Sequence, residues 1–156
     1  MPTSRASKAL PRRGVYLIDT NVISEARKRA GADVGVTAFF KTAAAQGQAL
    51  YLSVISVGEL RRGVELIRHR GDGAQADQLE TWLNGVLQHY KNHILAFDTD
   101  AAQLWGRLGV PHAHNEIDKQ IAAIALLNDL TVVTRNSPSF VGTGVRVLNP
   151  FCSQRP

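Results

Sequence analysis

The sequence predicts an α/β domain: a three-layer α/β/α sandwich around a central, mostly parallel five-stranded sheet, with a helical hairpin at its side. Three observations point there. Five short apolar runs are spaced along the chain, the stretches between them mostly carry helical periodicity, and the stretch between the second and third runs is long enough for two helices. Strands buried on both faces read as continuous apolar runs rather than alternating ones, which is the pattern of a parallel sheet covered by helices.

The first run, Val15-Tyr16-Leu17-Ile18, ends at Asp19 and is followed by Thr20-Asn21, residues that favour turns and helix caps. Val22 to Arg29 then reads as helix. After Gly31, the Ala-rich stretch from Val34 to Gln46 is helical, and Gly47 closes it as a helix C-terminus should. Leu50 to Val54 is the second strand. Ser56 is expected to open a helix running to about His69, because Val57, Leu60, Val64 and Ile67 fall at helical spacing, and Gly71-Asp72-Gly73 breaks the chain. Ala74 to His89 forms the second half of the hairpin, with Leu79, Trp82, Leu83 and Val86 along one side. Ile94 to Phe97 is a short third strand, and Asp98-Thr99-Asp100 supplies the cap of a helix through Leu108. The loop Gly109 to His114 precedes a helix from about Asn115 to Asn128, and strands Thr131 to Thr134 and Val145 to Leu148 complete the sheet.

With 156 residues the chain fits one domain, expected over residues 15–151, and can bury a core without disulfides. Its 44% hydrophobic and 20% charged residues are those of an ordinary globular protein. The longest uninterrupted apolar stretch, Ile121 to Leu127, falls far short of the roughly 20 residues a membrane helix needs. The formal charge of +5 is misleading as a sign of nucleic-acid binding. Of the 18 Lys and Arg, four (Arg5, Lys8, Arg12 and Arg13) lie in residues 1–14, leaving 14 against 13 Asp and Glu elsewhere. Residues 1–14 read as a flexible basic arm without the apolar stretch of a secretory signal, and 152–156 as a C-terminal tail. Cys152 is the single cysteine, so the simplest compartment is a reducing cytoplasm.

Four residues stand beside buried runs in the positions where an open α/β sheet places its ligand crevice: Asp19, Glu59, Asp118 and Asn136. If they converge they form a cage of hard oxygen atoms suited to Mg²⁺ or Mn²⁺. Each also has a purely local explanation. Asp19-Thr20-Asn21 could be turn chemistry, Ser56 with Glu59 fits a capping box, Asn115 with Asp118 repeats that spacing, and Asn136 could simply start a loop. His112-Ala113-His114 has too few companion ligands for a zinc site and reads as a solvated loop.

Order and context together decide between these readings. The segments Leu17-Ile18-Asp19-Thr20-Asn21-Val22-Ile23-Ser24, Leu52 through Gly63, Asp118 with Ile121-Ala122-Ala123-Ile124-Ala125, Thr134-Arg135-Asn136 before Phe140, and Val147 to Phe151 resemble the PIN-domain family, particularly VapC-type toxins of bacterial toxin–antitoxin modules. The resemblance spans Val15 to Phe151. It implies that Asp19, Glu59 and Asp118 are the acidic positions that bind Mg²⁺, or Mn²⁺ in its place, with Asn136 standing where the family often has a fourth acid. It also implies a metal-dependent endoribonuclease in which Asp19 and Asp118 ligate the ion, Glu59 orients water or acts as a base, and Asn136 completes the water network. The expected partners are an RNA substrate, a cognate antitoxin and a second copy of the chain, with operator DNA contacted only through the antitoxin and no membrane. The alternative is a mainly non-enzymatic subunit of a repressor complex with weak or vestigial cleavage. Arg27, Lys28, Arg61 and Arg62 follow the acidic segments and are candidates for RNA binding; a solvated helix face is the other reading of the same runs. A dehalogenase-type phosphatase fits less well, since position 21 is Asn rather than a second Asp.

Overall fold

Leu17 and Ile18 are adjacent and both fully buried, yet they point into two different cores, and this alternation separates the layers. The computed structural model describes residues 15–152, so the basic arm and residues 153–156 lie outside it. In chain order the elements are β1 (Tyr16–Ile18), α1 (Thr20–Ala26), α2 (Val34–Ala45), β2 (Leu50–Ser53), α3 (Val54–His69), α4 (Gly73–His89), β3 (Ile94–Leu95), α5 (Thr99–Leu108), α6 (Glu116–Leu127), β4 (Thr131–Val133) and β5 (Val147–Leu148). Short 3₁₀ turns occupy Arg29–Gly31 and Ser137–Phe140. The strands lie in the order β3-β2-β1-β4-β5, and every pairing is parallel.

One face of the sheet, through Ile18, Leu52 and Val133, packs on Val22 and Ile23 of α1, Val36 of α2, Leu60 and Val64 of α3, and Leu83 of α4. The other, through Leu17 and Val132, packs on Ala101 of α5, on Ile121 and Ile124 of α6, and on Phe140. This is the expected three-layer sandwich. A three-residue β1 is too short to be held by its ladder alone. Burying Leu17 and Ile18 contributes roughly 1.5–3 kcal/mol each, against about 1 kcal/mol net for a ladder hydrogen bond.

The hairpin of α3 and α4 turns at Gly71, whose φ of +91° suits a residue without a Cβ. Arg61 pairs with Glu80 at 2.7 Å, and Arg68 with Asp77 at 2.8 Å and Glu80 at 3.0 Å. These pairs face solvent, where ion pairs add little to stability, so the apolar seam of Leu60, Val64, Ala76 and Leu83 is what holds the hairpin.

Several boundaries differ from the sequence reading, each for a local reason. Helix α3 begins at Val54, because Ser53 rather than Ser56 is its cap: the Ser53 hydroxyl accepts from the Ser56 amide at 3.1 Å. Helix α1 stops at Ala26, and Arg29 adopts a left-handed φ of 52°. Strand β3 ends at Leu95, leaving Ala96 and Phe97 outside the ladder, and β5 begins only at Val147, after Gly144 with φ +80°. Asp98 caps α5 as expected, accepting from the Ala101 amide at 2.9 Å.

The C-terminal segment Pro150–Cys152 lies on the start of α2. Asp33 Oδ1 caps that helix, accepting from the Gly35 amide at 2.8 Å, and accepts from the Cys152 amide at 3.0 Å as well. Position 35 must be Gly because a Cβ there would collide with the Pro150 carbonyl and stand 2.9 Å from the Cys152 amide nitrogen. Gly35→Ala is therefore expected to lower stability in urea unfolding by about 1–3 kcal/mol, the cost of overpacking; an unchanged midpoint would show that this segment is not docked here.

Candidate active site

The parallel register fixes the first half of the site. Ile18 lies opposite Val133, so the next step brings Asp19, just past β1, alongside Thr134, just past β4, and the Asp19 amide donates to the Val133 carbonyl at 2.9 Å. Asp19 is 3% exposed and is also the N-cap of α1. Its Oδ1 accepts from the Thr20 amide at 2.7 Å and its Oδ2 from the Thr134 hydroxyl at 2.7 Å. That hydroxyl accepts in turn from the Asn136 amide at 3.0 Å and from Asn21 Nδ2 at 3.3 Å, so its donor and both lone pairs are used. Asn21 Oδ1 accepts from the Arg135 amide at 3.1 Å. Two strand ends are thus tied together around one carboxylate.

Helices supply the second half. Because Ser53 caps α3, Glu59 sits beyond the first turn and is free of any capping role. Thr20 Oγ1 donates to its Oε1 at 2.7 Å. Asn115 adopts a left-handed φ of 54° and makes no side-chain cap, so the second proposed capping pair does not form either. Asp118, in the first turn of α6, accepts from Asn136 Nδ2 at 3.1 Å, and the same nitrogen donates to Ser139 Oγ at 2.6 Å. An ionised carboxylate only accepts, which fixes the Asn136 amide with its NH₂ toward Asp118.

Asp19, Glu59, Asp118 and Asn136 all line one open cavity of about 470 Å³, together with Thr20, Asn21, Asn115, Glu116 and Ile117. Among the described residues no Lys or Arg is in its wall, and none of the ion pairs involves Asp19, Glu59 or Asp118. Asp19 is accordingly pushed up to about 6, mainly by burial and further by the charges of Asp118 and Glu59, against the hydrogen bonds from Thr134 and Thr20. Burial also raises Asp118, with Ser139 and Asn136 opposing. Among the described residues no three acidic, imidazole or thiolate groups are yet close enough to hold an ion as they stand.

Sequence reasoning missed Thr134, the hub of the network, and Glu116, a fourth acid in the wall. Thr134 could have been found once β1 and β4 were recognised as neighbours, since the residue after each strand then shares one edge. The basic candidates separate. Arg27 and Lys28 line a cleft beside the cavity, with Asn21 common to both. Arg61 is instead engaged by Glu80 across the hairpin and by Glu65 on its own helix, and Arg62 is exposed on α3 and not in the cavity wall. His112 and His114 are exposed, their rings 5.8 Å apart.

Comparison with known proteins places the chain in a family. The PIN domain matches residues 16–138. The chain is 34% identical to Toxin FitB of Neisseria gonorrhoeae and 33% identical to VapC ribonuclease Y4jK of Sinorhizobium fredii, each over 88% of this chain and nearly all of the relative (99% and 98%). It is similar to a solved structure of FitAB bound to an IR36 DNA fragment, with a TM-score of 0.74 and 30% identity over 90% of this chain and 98% of that one.

The raised Asp19 carboxyl has a consequence for stability. The folded state holds this proton more tightly than the unfolded chain, so the site costs nothing below pH 3.8 and its full penalty above about 6. In chelator, the stability of Asp19→Asn relative to the parent should therefore rise by about 2 kcal/mol between pH 4 and pH 7, because the amide cannot ionise. A difference independent of pH would mean that Asp19 is not held in this environment.

Proposed function

The chain belongs to the PIN-domain family, and on that premise we propose that it is the toxin of a toxin–antitoxin module: a divalent-metal-dependent endoribonuclease silenced by a cognate antitoxin. The observation that carries this reading is the acidic cavity itself, whose wall holds four acids and, among the described residues, no Lys or Arg. Such a wall repels RNA. At contact distance and an effective dielectric near 20, each pair of like charges costs about 4 kcal/mol, so phosphate enters only with positive charge between it and the acids.

The donor set fits Mg²⁺ or Mn²⁺, since it consists of carboxylates and an amide without thiolate or imidazole. Asp19, Glu59 and Asp118 would hold the ion, the half-buried Glu59 and Asp118 turning toward the fixed Asp19. Bound there, a divalent ion supplies Lewis acidity, acidifying water and offsetting charge on the phosphate. The protein supplies the orientation. Thr134 and the Thr20 amide clamp Asp19, and Asn136 braces Asp118 in place of a fourth acid, contributing two N–H donors and one less negative charge. Glu59 is anchored through Oε1 to Thr20 while its Oε2 keeps no partner among the described residues, which suits it to take the proton of an attacking water. That water attacks the phosphorus as its proton passes to Glu59, and the P–O bond to the ribose oxygen breaks, that oxygen taking a proton from solvent to leave as a hydroxyl.

The name of the ribonuclease relative supports the substrate class, and the FitAB complex with DNA supports an antitoxin partner that brings operator DNA to the assembly. We take the working form to be a homodimer. Purified protein should cut single-stranded RNA with Mg²⁺ and not in chelator, and Asp118→Asn should lower the rate at least about 100-fold while the melting temperature stays near that of the parent. Expression without a partner should arrest growth in the parent and not in Asp118→Asn. Cleavage that survives both chelation and the substitution would refute the proposal.

A further inference from the structure

Beside the acidic cavity, and sharing Asn21 with it, lies a cleft of about 250 Å³ lined by Asn21, Ser24, Glu25, Arg27, Lys28, Arg135 and Phe151. Its character is opposite to that of its neighbour. Lys28 is paired with Glu25 at 2.8 Å, but among the described residues neither Arg27 nor Arg135 has a carboxylate within ion-pair reach. Both guanidinium groups lie against aromatic rings instead. Arg135 Cζ stands 4.8 Å from the centre of the Phe151 ring, and Arg27 Cζ 5.9 Å from that of the Trp82 ring.

The Arg135–Phe151 stack is fixed from both sides. The Arg135 amide donates to Asn21 Oδ1, one residue beyond the Thr134 that clamps Asp19. The Phe151 amide donates to Asn149 Oδ1 at 3.0 Å, the next amide is held by Asp33, and the half-buried ring packs against the core. Arg135 itself is exposed. The result is a planar cation held over a ring beside the acidic cavity, on a side chain exposed to solvent. A phosphate contact alone would need no aromatic support. An unpaired base finds its stacking partner on such a plane.

We infer that the Arg135–Phe151 stack is a nucleobase platform, on which a nucleotide next to the scissile phosphate of single-stranded RNA stacks while Arg27 meets the adjoining backbone. This deepens the ribonuclease reading and rests on it. Duplex RNA is disfavoured, because its bases have no free face to offer.

The test separates plane from charge. Binding of a short fluorescein-labelled single-stranded RNA, and of the same chain made fully abasic, is measured by anisotropy in chelator with the full-length protein. Arg135→Lys keeps the charge and removes the plane, so it should weaken RNA binding roughly 5- to 100-fold and leave the abasic probe unchanged. Arg146→Lys, at the opposite edge of the sheet, should alter neither. The platform is overturned if Arg135→Lys binds RNA like the parent, or if the parent binds both probes equally. It is equally overturned if the substitution weakens capture of the antitoxin and not of RNA. The Mg²⁺-dependent cleavage assay decides the underlying reading independently, so loss of the platform with cleavage intact removes this inference alone.

Discussion

The hydrogen bond from Thr134 to Asp19 is the contact on which the rest of the site depends. It joins the ends of two neighbouring parallel strands, and it holds a carboxylate where water hardly reaches. A buried acid near other acids is unfavourable in the isolated protein, and its raised pKa records that cost. The fold offsets it elsewhere, through two apolar cores and a sheet whose central strand is covered on both faces. The strain is local and lies where a cation would relieve it.

Around this carboxylate the elements divide their work. Helix α1 begins on Asp19 and so places Thr20 against Glu59, while α6 brings Asp118 and Glu116 across the cavity, and the loop after β4 supplies Asn136 to brace Asp118. That same loop carries Arg135, and the C-terminal segment, docked on Asp33 and Gly35, carries Phe151. An acidic cavity and a basic cleft therefore share one edge of one sheet. Each suits a different part of a polynucleotide: the reacting phosphate, and the base and backbone beside it.

Much of this was legible in the sequence, because burial on both faces forces continuous apolar runs and each run ends where a polar residue takes over. The sheet and the hairpin follow from that rule, whereas the four cavity residues each had a local explanation and were singled out by the resemblance to the PIN-domain family. The boundary of α3 did not, since Ser53 and Ser56 are both good caps, and only the backbone at Ser53 decides which one serves. The choice matters, because a cap at Ser56 would have made Glu59 a capping residue. Thr134 was hidden for a different reason: its importance comes from the neighbour that β1 acquires across the sheet, and chain order does not reveal strand order. Arg61 and Arg27 look alike in sequence and part only when α4 arrives with Glu80.

The central claim is that these carboxylates form one site for a divalent cation. Anomalous diffraction from crystals soaked in Mn²⁺ tests it most directly. The account predicts a single strong peak in the cavity within coordinating distance of Asp19, Glu59 and Asp118; a cavity without a peak at saturating Mn²⁺, or a peak bound by other residues, would contradict it.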